Sequence, residues 1–112
     1  QSRSSAASDV YKRQVISMCK DLNSNNNIGF VVGATNHEAM EEVRSQTDSF
    51  FLIPGIGAQG GDLKNVMQSN INYLDTTLIN ISRGIIFAGN HDYQSIQSSA
   101  QEYLNQMREY RG

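Results

Sequence analysis

No stretch of this 112-residue chain approaches the roughly 18 consecutive apolar residues that a membrane helix requires. The longest candidates, residues 50–53 and 84–88, are cut off by Pro54 or by polar residues, which excludes a helical membrane span. Cysteine is nearly absent. Cys19 stands alone, so no internal disulfide can form, and no Cys and His cluster has the spacing of zinc ligands. A lone thiol of this kind reads as a reduced, half-buried side chain rather than a nucleophile. Basic charge is also short: 9 Lys and Arg stand against 11 Asp and Glu, a formal net charge of -2, so nothing marks nucleic acid as the partner. The length, with 38% hydrophobic and 18% charged residues, suits a single soluble globular domain.

What is present falls into two unlike parts. Residues 1–14 are rich in Ser and small side chains and carry Arg3, Lys12 and Arg13. They lack the apolar centre of a secretory signal, although an Arg- and Ser-rich organelle presequence stays open on composition. A more specific reading comes from the residues themselves: residues 4–14 resemble the translation of a common transposon-type sequencing-library adapter. Residues 1–14 are therefore expected to be a non-native leader, with the reading frame cut at its start, and residues 15–112 to carry the fold. Setting the leader aside removes three basic residues and only Asp9 from the acidic ones, leaving a clearly acidic chain.

From Val15 onward short apolar strands alternate with amphipathic helices, a pattern that predicts parallel βαβ units. Residues 15–22 read as the tail of a helix, followed by a polar turn at 23–27. Residues 29–35 read as a strand, apolar without strict alternation, as expected when both sheet faces are covered. Thr35 and Asn36 can cap a helix, with Glu38 placed for a capping box on Thr35. Ala39, Met40 and Val43 then share one face, opposite Glu38, Glu41 and Glu42. Residues 49–53 form the next strand, stopped at Pro54. Asp62 is a helix start, with Leu63, Val66 and Met67 as its apolar face. A third strand spans 77–81. The last helix begins near His91 or Asp92, because Tyr93, Ile96, Ala100, Tyr103, Leu104 and Met107 recur at spacings of three, four and seven.

Two sites could carry chemistry. Four glycines lie between Pro54 and Gly61, and such a loop lets backbone N–H groups approach an anion such as phosphate. A tight strand-to-helix turn explains the same glycines about as well. No Gly-Lys-Ser/Thr follows, so this is not the P-loop of nucleotide triphosphatases. Arg83 lies just past the third strand, at the carboxyl end where parallel α/β folds bind ligands. Alone it would read as a solvated surface charge. One strand away from the glycine loop, it fits the phosphate site that recurs on the last two strands of eight-stranded barrels.

Three blocks, in this order and spacing, resemble the C-terminal part of orotidine 5'-phosphate decarboxylases, especially the bacterial type 2 branch. They are Gly33, Ala34 and Thr35; the run from Phe51 through Pro54-Gly-Ile-Gly-Ala-Gln-Gly-Gly to Asp62; and the run from Asn80 through Ser82-Arg-Gly to Ile85. The resemblance implies an α/β fold, the last three βα units of a TIM (β/α)8 barrel. It implies cofactor-free conversion of orotidine 5'-phosphate to UMP and carbon dioxide in a cytoplasmic, homodimeric enzyme. By motif position Gln59 and Arg83 would grip the substrate phosphate. Backbone groups of Pro54, Gly55, Ile56, Gly57, Ala58, Gly60 and Gly61, and near Ser82, would complete the pocket. An arginine forks onto phosphate oxygens, while a glutamine amide adds a neutral donor that orients the loop.

The family's catalytic Asp-x-Lys-x-x-Asp motif is absent. Asp62-Leu-Lys64 matches its first half, but Met67 stands at the second aspartate's position and the segment follows the wrong strand. Asp62 is therefore expected to start a helix and Lys64 to face solvent. His37 and His91 lie near helix starts and read as surface capping residues, and Glu41 and Glu42 do not converge on a site. A barrel of this class needs around 250 residues, so the chain is expected to be an inactive fragment. Two other readings stand beside it: a different sugar-phosphate-processing barrel, and a self-contained phosphate-ligand binding module.

Overall fold

The computed structural model describes residues 2–22, 27–57 and 62–112. Helix α1, Ser2–Leu22, runs unbroken through the junction between residues 14 and 15. It buries Ile16 in the core, and the Arg13 Nε donates to a Glu42 carboxylate oxygen on the second helix.

Three short strands form one parallel sheet in the order β1 (Phe30–Val31), β2 (Phe51–Ile53) and β3 (Thr77–Ile79). This is the α/β class expected from the sequence, with the strands in chain order. The regular ladder is shorter than the apolar runs. Cross-strand bonds continue past it, from the Val32 N–H to the Leu52 carbonyl (3.0 Å), from Ala34 to Pro54 (2.9 Å) and from Asn80 to Ile53 (3.0 Å).

Phe51 and Ile53 point to one face of the sheet and are fully buried against Met40, Val43, Val66 and Met67 of the flanking helices. The other face is bare. Val31, Leu52 and Leu78 stand in register across all three strands and are 71%, 42% and 56% exposed. The expectation of cover on both faces therefore fails among the described residues, whose helices pack on the Phe51 and Ile53 side.

Helix α2 (His37–Arg44) starts one residue later than a Thr35 capping box requires. Asn36 is the cap, its Oδ1 accepting from the Ala39 N–H at 3.0 Å. Asp62 caps α3 (Leu63–Ser69) by accepting from the Lys64 N–H at 2.9 Å, and Leu63, Val66 and Met67 are buried as their spacing demands. Lys64 is exposed. A 3-10 turn, Ile71–Thr76, and a four-residue helix α4, Arg83–Ile86, are additions that periodicity did not reveal, because neither is long enough to show a period.

Helix α5 (Tyr93–Arg111) begins at the N-cap Asp92. It packs on α3 and α4 through Tyr103, Met107 and Tyr110, whereas Tyr93, Ala100 and Leu104 stay exposed. The helix lies at the border of the layer, so only part of its apolar stripe meets a neighbour. Neither histidine caps a helix. His37 is half-buried at the first position of α2, with its Nδ1 buried and unpartnered among the described residues. His91 is exposed, adopts φ 60° and lies against Phe87, ring centroids 5.3 Å apart.

Candidate functional site

The carboxyl ends of β2 and β3 lie side by side, and both candidate segments leave from them. After Ile53 the chain turns through Pro54 to Gly57. Gly55 and Gly57 adopt φ 100° and 78°, the left-handed region that glycine reaches without strain. Pro54 has no N–H, and its carbonyl is engaged by Ala34, so it shapes the loop rather than donating from it. Ile56 turns its side chain into the core, 4% exposed, which anchors the loop between its two flexible glycines. Ala58, Gln59, Gly60 and Gly61 lie outside the described residues.

After Ile79 the chain passes through Asn80, whose Nδ2 donates to the Ser82 Oγ at 3.2 Å, and enters α4 at Arg83. Arg83 is exposed, and its guanidinium has no hydrogen-bond or ion-pair partner among the described residues. The two segments meet at one side chain. Tyr103 of α5 places its hydroxyl so close to both glycines that a methyl group added at Gly57 would lie 3.0 Å from it, and one added at Gly84 only 2.7 Å. The Ser99 Oγ, one turn earlier on α5, donates to the Gly84 carbonyl at 2.8 Å. Helix α5 thus holds the glycine loop and the residue after Arg83 within reach of a single hydroxyl.

The chain matches the family model described as orotidine 5'-phosphate decarboxylase / HUMPS family over residues 1–96. It belongs to that family. The orotidine 5'-phosphate decarboxylase of Natronomonas pharaonis is 47% identical over 75 residues, 67% of this chain and 28% of the relative. That of Dehalococcoides mccartyi (strain ATCC BAA-2266 / KCTC 15142 / 195) is 43% identical over 89 residues, 76% of this chain and 33% of the relative. Among solved structures, a Plasmodium yoelii orotidine-monophosphate-decarboxylase superposes with a TM-score of 0.72 at 34% identity, covering 90% of this chain and 32% of that one. Leishmania donovani UMP synthase superposes with a TM-score of 0.68 at 36% identity, covering 80% of this chain and 19% of that one. The chain therefore spans about a third or less of the relatives it matches. Its parallel α/β sheet is part of the barrel that these decarboxylases share.

Two residues of this orotidine 5'-phosphate decarboxylase family member escaped the sequence reading. Tyr103 looked like one more member of an apolar helix stripe, and only its hydroxyl set it apart. Arg44 had no signal, since it ends an amphipathic helix where a basic residue is ordinary. It is nevertheless 4% exposed, at the opposite end of the sheet from the glycine loop. Its Nε donates to Asn70 Oδ1 (2.8 Å), its Nη1 to the Ser49 carbonyl (2.7 Å) and its Nη2 to Thr77 Oγ1 (2.9 Å). These bonds occupy it in holding the fold, and it borders an open polar cleft of about 380 Å³.

Proposed function

We propose that this chain is the phosphate-gripping C-terminal part of an orotidine 5'-phosphate decarboxylase of the bacterial type 2 branch. The convergence of the glycine loop and α4 on the Tyr103 hydroxyl carries the reading, because it brings the loop backbone at Gly57 and the residue after Arg83 to one place. Gln59 would supply the neutral amide donor, and the Gly55, Ile56 and Gly57 backbone, with Ala58, Gly60, Gly61 and groups near Ser82, would line the pocket. Arg83 meets the phosphate as a charged, forked donor.

In the full-length protein the substrate is orotidine 5'-phosphate and the product UMP. The bond from the pyrimidine ring to its carboxylate breaks, carbon dioxide leaves, and a lysine of the missing Asp-x-Lys-x-x-Asp motif protonates the ring carbon. No cofactor takes part. The residues of this chain act at a distance: their grip on the phosphate contributes to stabilising the transition state at the ring. Alone, the 112-residue chain has no decarboxylase activity. The working enzyme is a cytoplasmic homodimer acting on a small-molecule substrate, with nucleic acid and membrane outside its partners.

The bare row of Val31, Leu52 and Leu78 supports assignment to the last three βα units of the barrel, because a barrel's inner layers would cover it. Residues 4–14 are the translated adapter. The likeness of these residues to the adapter's translation supports that reading, and the gene read from genomic DNA tests it. The decisive experiment is the same gene copied upstream of Val15 and expressed whole. An in-frame Asp-x-Lys-x-x-Asp motif and release of carbon dioxide from orotidine 5'-phosphate are expected; absence of either overturns the assignment.

A further inference from the structure

We infer that Tyr103 is a positioning residue of the phosphate site, its hydroxyl setting the spacing between the loop at Gly57 and helix α4 at Gly84. The inference rests on the phosphate reading of those two segments. Gly84 carries the argument. It lies inside α4 at an ordinary helical φ, where alanine is the better helix former, so backbone freedom does not account for the glycine. Space does. A Cβ there would meet the Tyr103 hydroxyl at 2.7 Å, whereas its next neighbours, the Tyr103 Cζ and the Ile81 Cγ2, would both be 3.4 Å away. The hydroxyl alone makes the position too small for alanine.

The same oxygen also fills the space beside Gly57 on the loop, 3.0 Å from where a Cβ would be. It makes no hydrogen bond to any described residue, so its contribution is volume at a fixed place. That place is fixed because the Tyr103 ring packs against the core, and Ser99, one turn back on α5, ties down the Gly84 carbonyl. Arg83 precedes Gly84 directly. A shift of α4 against the loop therefore moves the guanidinium relative to the loop's N–H groups, and misplacements of an ångström cost large factors in rate.

The test uses the full-length protein and four versions of it: wild type, Gly84→Ala, Tyr103→Phe and the double variant. For Gly84→Ala, kcat/KM for orotidine 5'-phosphate is expected to fall at least about tenfold, with much less effect on phosphate-free orotidine. Adding Tyr103→Phe removes the clashing oxygen, leaving contacts of 3.4 Å, and is expected to restore most of the loss. A general packing defect would deepen in the double variant instead. The inference is overturned if Gly84→Ala behaves as wild type, if both substrates suffer equally, or if the double variant is no better than Gly84→Ala. Should the wild type lack decarboxylase activity, the functional reading fails on its own. The inference is then judged by the affinity of the same four proteins for inorganic phosphate, with the same ordering expected.

Discussion

The Arg44 guanidinium lies 3.5 Å from the centroid of the Phe51 ring, buried beneath the middle strand of the sheet. The Tyr73 ring lies 4.8 Å away, and no carboxylate forms an ion pair with Arg44 among the described residues. A buried cation is thus held by neutral oxygens and aromatic faces. Burial pulls its pKa below the usual guanidinium value, with Tyr73 and Asp48 acting in the opposite direction. It remains charged at any pH at which proteins are handled, so its contribution does not vary with pH there.

Replacing Arg44 strands Asn70, Ser49 and Thr77 oxygens that now accept from it. Arg44→Ala is expected to destabilise the full-length protein by about 3 kcal/mol or more, since each unsatisfied buried acceptor costs about 1–3 kcal/mol. Arg44→Lys should recover only part of this, because an ammonium cannot reproduce the planar fork. Urea titration of the two variants checks the order. Equal stability of Arg44→Lys and wild type would contradict it.

Arg83 offers the opposite case, an exposed cation with nothing in the described protein to hold it. Arg83→Ala should leave the unfolding midpoint nearly unchanged while lowering kcat/KM for the phosphorylated substrate by about 3 kcal/mol, roughly a hundredfold. A substrate lacking phosphate should be affected much less. Steady-state kinetics with both substrates decides the matter, and equal losses would overturn the proposed phosphate role of Arg83.

The Asp62 carboxylate accepts from the Lys64 N–H and from the Asn65 side-chain amide at 3.2 Å, at the start of α3. Asp62→Ala should cost about 1 kcal/mol through loss of the cap. Asp62→Asn should cost much less, because an asparagine also caps. If both variants lost activity without losing stability, Asp62 would have a chemical role that the fold does not give it.

Val31, Leu52 and Leu78 form an apolar row on a sheet whose two outer strands have open edges. Isolated, the 112-residue chain should self-associate and unfold without a sharp urea transition. Leu52→Lys with Leu78→Lys should reduce that association in sedimentation velocity. A monomer with a cooperative transition would instead favour a self-contained binding module.

How much was legible follows from the range of the signals involved. Asn36 and Asp62 act within three residues of themselves, so the starts of α2 and α3 could be read locally, Asn36 within a residue. The buried faces of α2 and α3 followed from spacing. The 3-10 turn and α4 were too short to carry a period. His91 lies on the surface as expected but caps nothing, and His37 was misjudged because a position near a helix start does not fix whether the side chain turns inward.

The residues alone determined the alternation of strands and helices, the helix caps, the positions of the glycine loop and Arg83, and the family those blocks resemble. These are short-range facts, set by side-chain periodicity and backbone chemistry over a few residues. Tertiary structure alone decided that Arg44 is buried, that one face of the sheet is bare, and that Tyr103 reaches both Gly57 and Gly84. Each depends on which elements pack together, and residues as far apart in the chain as Gly57 and Tyr103 have no local pattern that records their contact.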